Sequence, residues 1–388
     1  MKSIKSVSII ALIAICGVIG LFLTQSNKQP RTEKSSIKIG ATLALTGNLA
    51  YIGESEKRGL EMAVEEINNH SGINGRTIEL MIEDNQGDAK TAVASVNKLL
   101  ADDSVNVIFS AFTHVTRAIL ESITQHNSVM IYASSVNDIA RGNSQVFKDY
   151  FDNSYFARDI ASILQHNKQK RVKLLTEISE TCQQFEESLV REFNTRGIQL
   201  LQKESYEVAS KDLKTHIQRL SAQRDFDAFV FCTWRHEDIL MKQLKELDII
   251  TIPTYHVTAP VLPVADTSEM RALFSENKSI STWYGFAPNT SQVKQTEFIR
   301  KYRARYESDP RPDSAYAYDD VYAIADALNT CDAQNDLTSR CIARELTKTN
   351  LDGAGGPLSF DEHRASKRPI VLLQAEHNEW KEIPVPKE

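Results

Sequence analysis

The chain has 388 residues, 41% hydrophobic and 25% charged, and its 45 basic and 51 acidic side chains leave a formal net charge of −6. These are the proportions of a folded globular protein, not of a disordered or fibrous one, and the length exceeds what one hydrophobic core usually serves, so two lobes are expected. The acidic balance argues against a nucleic-acid binder, which presents a basic face.

Lys2 and Lys5 precede an uncharged run over 7–23, the form of a secretory n-region and h-region. The run is long for a signal peptide and at the short limit of the roughly 17–25 residues a spanning helix needs. Thr24-Gln25-Ser26 is a mediocre cleavage site, and Ile15 is too bulky to make Cys16 a good lipoprotein cysteine. Residues 1–26 are therefore expected to direct export, either as a cleaved signal peptide or as a retained membrane anchor. Residues 27–36 read as a polar tether outside any fold.

The folded part begins with an apolar strand over 39–45, as expected of a strand covered by helices on both faces. Thr46-Gly47-Asn48 is turn chemistry. Leu60, Ala63, Val64 and Ile67 then recur on one face of a helix, which ends at Ser71-Gly72 and Asn74-Gly75. A strand over 78–82 and a second striped helix over 89–100 follow. Strand, crossover helix, strand predicts a parallel sheet. The same alternation gives strands over 105–110 and 129–132 with a helix over 115–125 between them, and a polar segment over 134–144 closes this half. It restarts with a helix over 155–166, a strand over 171–176 and a helix striped by Phe185, Leu189 and Phe193. A strand through Tyr206, a helix carrying Leu213, Ile217 and Leu220, a strand over 226–231, a helix marked by Leu240 and Leu244, and a strand over 255–257 complete the second half. Beyond Trp283-Tyr284-Gly285-Phe286 lie a long helix through Tyr306, a break at Asp309-Pro310-Arg311-Pro312, and a helix over 316–328.

The ordered run Leu45-Thr46-Gly47-x-Leu49-Ala50-x-x-Gly53, a helix ending Ile67-Asn68, then Gly72-Ile73-Asn74-Gly75-Arg76 and the acidic strand end Glu83-Asp84-Asn85 resembles the leucine/isoleucine/valine-binding protein family. These are type I periplasmic solute-binding proteins of ABC importers. The resemblance extends through the helix at Tyr316 to the run from Gly353 to Asp361. It implies an α/β fold of two Rossmann-like lobes with parallel sheets, joined by a three-crossing hinge, with the ligand between them. Residues 37–150 and 286–355 would form lobe one, and 151–285 and 356–388 lobe two.

Ligands of open α/β sheets sit outside the carboxyl ends of the strands. Phe112 and Thr113 lie between a strand and a helix start, where free amide N–H groups and the helix dipole suit a carboxylate. By resemblance Thr113 falls on a serine that holds the ligand's carboxylate and amino groups; the alternative is that it only caps the helix. Ser134 and Ser135 fall where the family completes the carboxylate clasp, although Val136 stands where a hydroxyl is expected. Phe185 and Trp234 match aromatics that close over the ligand from lobe two, with Phe185 as simple core the competing reading. Ile52, with Tyr51 beside it, matches a wall residue of lobe one. The family's amino-acid binders place an acid near the end of the strand that here reads Tyr255-His256-Val257-Thr258-Ala259-Pro260, and none is present. An ammonium would then need Asp138 or Glu180, or the ligand lacks one.

Of the five cysteines, Cys331 and Cys341 are spaced for a local disulfide, and Cys182 and Cys232 are either buried apolar residues or a second bridge. The first-lobe disulfide of some family members is missing at both ends, near Gln86 and Phe112. His114, Arg117, His236 and Glu237 read as a polar rim around the cleft. No metal-ligand spacing, phosphate loop or nucleophile–base pair is evident, so neither a cofactor nor an enzyme is implied. The expectation is an exported binding protein that captures a small polar ligand, an amino acid or related carboxylate or amide, for an ABC permease and ATPase complex. The alternative is a membrane-tethered receptor domain that senses such a ligand and signals to a regulatory partner.

Overall fold

The computed structural model describes residues 35–102, 104–136, 138–233, 236–259, 267–286 and 292–386. The proposed leader, most of the tether and Trp234 lie outside these residues.

The first sheet is built from β1 (Ile37–Leu43), β2 (Ile78–Asp84), β3 (Val105–Ala111), β4 (Val129–Ala133) and β5 (Val146–Lys148). Helices α1 (Ala50–Asn69), α2 (Ala89–Leu100) and α3 (Thr113–Gln125) connect them. The strands run parallel in the order β2-β1-β3-β4-β5. Their two-residue period sorts side chains to two faces. Ile39, Val107, Phe109 and Ile131 pack on Leu60, Ala63 and Val64 of α1, whereas Ile108, Met130 and Tyr132 meet Val96 of α2 and Ile119 of α3. The three residues of β5 carry no pattern long enough to read from sequence.

The second lobe runs α4 (Asn153–His166), β6 (Arg171–Glu177), α5 (Glu180–Arg196), β7 (Gln199–Tyr206), α6 (Lys214–Ser221), β8 (Ala228–Cys232), α7 (Glu237–Glu246), β9 (Thr254–Val257), α8 (Ser268–Asn277) and β10 (Ile280–Tyr284). The chain then returns through α9 (Val293–Tyr306), α10 (Pro312–Ala333), α11 (Ser339–Leu346) and the paired β11 (Leu351–Gly353) and β12 (Gly356–Leu358). It ends in β13 (Ile370–Glu376) and β14 (Glu379–Ile383) beside β10. The second sheet has the order β14-β13-β10-β9-β8-β6-β7, and its last two strands are antiparallel. The hairpin follows from His377 and Asn378, both at positive φ (53° and 63°), the two-residue turn whose twist matches an antiparallel pair. The chain therefore passes between the sheets three times: after β5, after β10 and before β13.

Two glycines of the opening motif have packing reasons. A Cβ on Gly53 would stand 2.1 Å from the Ala44 carbonyl oxygen, and one on Gly59 would stand 2.1 Å from that of Ser314. The first lets α1 start against the end of β1, and the second lets α1 touch α10 backbone to backbone. The Cys331–Cys341 disulfide joins α10 to α11, and a second bridge, Cys182–Cys232, ties the start of α5 to the end of β8. Cys182 and Cys232 are thus a bridge and not separate apolar residues.

The crossings are clamped by one buried cation. Arg368, before β13, donates through Nε to Asp149 Oδ1 at 2.8 Å and through Nη2 to Asp149 Oδ2 at 2.5 Å. Its Nη1 donates to Asp319 Oδ2 at 3.0 Å and to the Gly356 carbonyl at 2.8 Å. All three charged side chains are buried, and the guanidinium lies 4.5 Å from the Tyr316 ring centroid. Burial lifts the Asp319 carboxyl to about 6, against the pull of Arg368 and the N–H groups of Gly355 and Ala354. No described helix is long and apolar enough to cross a membrane.

Candidate ligand-binding cleft

A cavity of about 330 Å³ lies among strand ends of both sheets, a size that suits a small molecule. Tyr51 and Ile52 of α1 line it. They are delivered there because Gly53 allows α1 to begin tight against Ala44. The nearby strand end Asp84 serves the fold instead. Its carboxylate accepts from the backbone N–H groups of Leu45 (2.9 Å) and Gln86 (2.8 Å) and from the Thr46 hydroxyl (2.7 Å).

The turn from β3 to α3 forms the next wall. Phe112 sits at φ 67°, ψ 134°, a region that bulky residues rarely visit, at a cost of about 1–3 kcal/mol. This sharp turn starts α3 at Thr113 with no side-chain cap. The N–H groups of the first turn thus have no partner within the helix, and the positive end of its dipole lies where Phe112, Thr113 and His114 line the cavity. Thr113 is the first helical residue, not the cap. Its hydroxyl lies 2.7 Å from that of Ser134, so two hydroxyls and a helix start converge at one point. Ser135 also lines the cavity, and its hydroxyl lies 3.4 Å from that of Thr181 on the other lobe. Val136 is buried, with its carbonyl taken by the Tyr132 hydroxyl at 3.0 Å, so it belongs to the core of lobe one.

Lobe two contributes Glu177, Ser179, Glu180 and Thr181. Ser179 caps α5 by accepting from the Cys182 N–H, and the Cys182–Cys232 bridge fixes this lip to β8. Arg117 of lobe one donates to both oxygens of Asp138 at 3.1 Å and also to Glu180. The two acids considered for a ligand ammonium therefore already share a cation. Glu180 lines the cavity with that contact in place, and Asp138 is not among the lining residues.

The structure brings Tyr51, Ile52, Phe112, Thr113, Ser134 and Ser135 to one cavity. Phe185 it does not. Its ring is fully buried in the lobe-two core, in the stripe of Cys182, Phe185, Leu189 and Phe193 that α5 turns inward. Val257 and Ala259 likewise point into lobe-two cores. His236 and Glu237 are buried and not on a rim: His236 Nδ1 lies 3.3 Å from the Tyr206 hydroxyl, and Glu237 accepts from the Thr233 hydroxyl at 2.8 Å. Burial, more than that hydrogen bond can offset, holds the Glu237 carboxyl well above the usual range.

Sequence reasoning missed the part of the lining formed by Glu56, Tyr150, Tyr284 and Asp313. The Tyr150 and Tyr284 hydroxyls are 2.5 Å apart, Tyr150 also donates to Asp313 Oδ1 at 3.5 Å, and Arg311 Nε donates to Asp313 Oδ2 at 3.2 Å. Glu56 is buried, and Oε2 has no hydrogen-bond partner among the described residues. Burial and the charge of Asp313 push its carboxyl well up, with Arg311 pulling the other way. A signal was available: Glu56 lies four residues before Leu60, an acid on an apolar stripe. Among the described lining residues four are acids and none is Lys or Arg. No described group of His, Cys, Asp or Glu could hold a metal ion.

Two α/β lobes, three crossings and a cleft between strand ends define a hinged binding protein. The sequence model of the periplasmic binding protein family matches residues 36–379, and the chain belongs to that family. It is a family of ligand-binding proteins and not of enzymes. Leu/Ile/Val-binding protein homolog 3 of Brucella melitensis is 25% identical over 191 residues, 48% of this chain, which thus spans about half (52%) of that relative. Leu/Ile/Val-binding protein homolog 7 of Brucella abortus is 21% identical over 366 residues, 87% of this chain and 88% of its own. The fold is that of the branched-chain amino acid transporter substrate-binding protein LivJ from Streptococcus pneumoniae, solved with isoleucine. The TM-score is 0.75 at 22% identity, over 89% of this chain and 98% of that one.

Proposed function

We propose that the protein captures a small polar ligand, an amino acid or a related carboxylate or amide, between its lobes and delivers it to an ABC importer on the outer face of the membrane. One observation carries this reading: the uncapped start of α3 meets the Thr113 and Ser134 hydroxyls inside a cavity that also takes residues from lobe two. An N–H-rich helix start with two hydroxyls suits a carboxylate. Tyr51, Ile52 and Phe112 give it apolar walls. Lobe one would comprise 37–150 and 286–355, and lobe two 151–285 and 356–388. Closure is then favoured with ligand present, because only then do both lobes share contacts through it. Export through residues 1–26 fits the family and the two disulfides, which persist in oxidising compartments.

A thermal-shift screen of amino acids, short carboxylates and amides tests the reading. A true ligand at a hundred times its Kd stabilises the chain by about 2.7 kcal/mol. No shift with any of them would refute the proposal. Thr113→Val keeps the shape and removes the hydroxyl, and it is expected to weaken the hit about tenfold, or about 1.4 kcal/mol. Unchanged affinity by calorimetry would remove Thr113 from the site.

A further inference from the structure

Glu56 and Asp313 come from helices far apart in the sequence, α1 and the first turn of α10, yet line the same cavity. The Tyr150 and Tyr284 hydroxyls, from two different crossings, join them there. A carboxyl oxygen buried without a partner is costly, and native folds rarely keep one that serves nothing. Oε2 of Glu56 is such an atom, in a side chain 1% exposed that lines a ligand-sized cavity. Arg311 pairs with Asp313, its guanidinium lies 5.0 Å from the Tyr51 ring centroid, and its charge acts on Glu56 as well, so one cation stands against two carboxyl groups.

We infer that the cargo carries a second, cationic nitrogen, and that Glu56 and Asp313 beside the Tyr150–Tyr284 pair form the subsite that receives it. This rests on the capture reading above and narrows it to ligands with a carboxylate at the Thr113–Ser134 end and an ammonium or guanidinium elsewhere. A branched aliphatic side chain would leave the Glu56 oxygen unsatisfied. A cation would take its charge and expel its proton to solvent, so affinity for such a ligand rises with pH. The charges acting on Glu56 are those of Asp313 and Arg311 at the start of α10, and among the described residues Tyr51, Tyr150, Tyr284, Glu177 and Glu180 line the same cavity. His114 also lines the cavity.

Calorimetry on the full chain with L-lysine, L-arginine, L-norleucine and L-leucine decides the matter. Lysine or arginine is expected to bind at least tenfold tighter than norleucine, with the ratio growing as the pH is raised. Glu56→Gln and, separately, Asp313→Asn are expected to lower that preference, read as the ratio of basic amino acid to norleucine affinity, at least tenfold. Norleucine or leucine binding as tightly as both basic amino acids would overturn the inference, as would variants that keep the preference. If none of the four binds but a carboxylate or amide stabilises the chain, the subsite alone is overturned. If nothing stabilises it, the capture reading falls as well.

Discussion

Replacing Arg368 with methionine is expected to lower the unfolding free energy at pH 7 by about 3–5 kcal/mol, the usual cost of removing one partner from a buried ion network. Asp149 and Asp319 would be left in the interior with no cation, beside Asp320, whose carboxyl burial and the Asp149 charge already push well up. Methionine fills much of the volume, so the loss reports charge and hydrogen bonding more than a cavity. The loss should shrink on acidification. Asp319 has a folded value of about 6 against an ordinary 3.8, so the folded state binds the proton more tightly than the unfolded chain. Its contribution is fully present below about 4 and is lost as pH rises through 6. Without Arg368, which lowers the Asp319 and Asp320 values, that window moves further up. Urea unfolding of both proteins at pH 7 and pH 5 checks this: an equal loss at the two values would show that the network is not held by charge.

Opening the Cys182–Cys232 bridge by the double serine substitution should cost a similar amount. The bridge closes a separation of 50 residues, for which the chain-entropy account gives about 4 kcal/mol. The Cys331–Cys341 bridge closes only 10 residues and on the same account contributes about 3 kcal/mol. The longer bridge also pins the lip that carries Ser179, Glu180 and Thr181, so its loss is expected to weaken ligand binding, whereas loss of the shorter one is not. Denaturation and calorimetry on both double variants test the pairing. Equal binding losses from the two would mean that the lip does not depend on its bridge.

Most helices and the longer strands were legible in the sequence because each buries a face with a clean period, as with Leu60, Ala63 and Val64 in α1. The antiparallel end of the second sheet was not, because it depends on two residues at positive φ, His377 and Asn378, neither of them glycine. In the cleft, the strand-end rule reached Thr113, Ser134 and Ser135, since they directly follow the adjacent parallel strands β3 and β4. It could not reach Tyr150, Tyr284 and Asp313, which meet only when separate crossings come together. Phe185 shows the opposite difficulty: an aromatic on an apolar stripe looks the same from sequence whether the stripe turns inward or toward a ligand.

The threefold passage between sheets has a consequence for synthesis on the ribosome. The inner strand β10 ends at Tyr284, but the neighbour that covers its open side begins at Ile370. Translation at about 5–20 residues per second leaves that edge uncovered for roughly 5–20 s. An uncovered strand edge invites pairing with other chains. A nascent chain stalled before residue 370 should therefore remain dependent on a holding chaperone, and the final hairpin is the step that releases it.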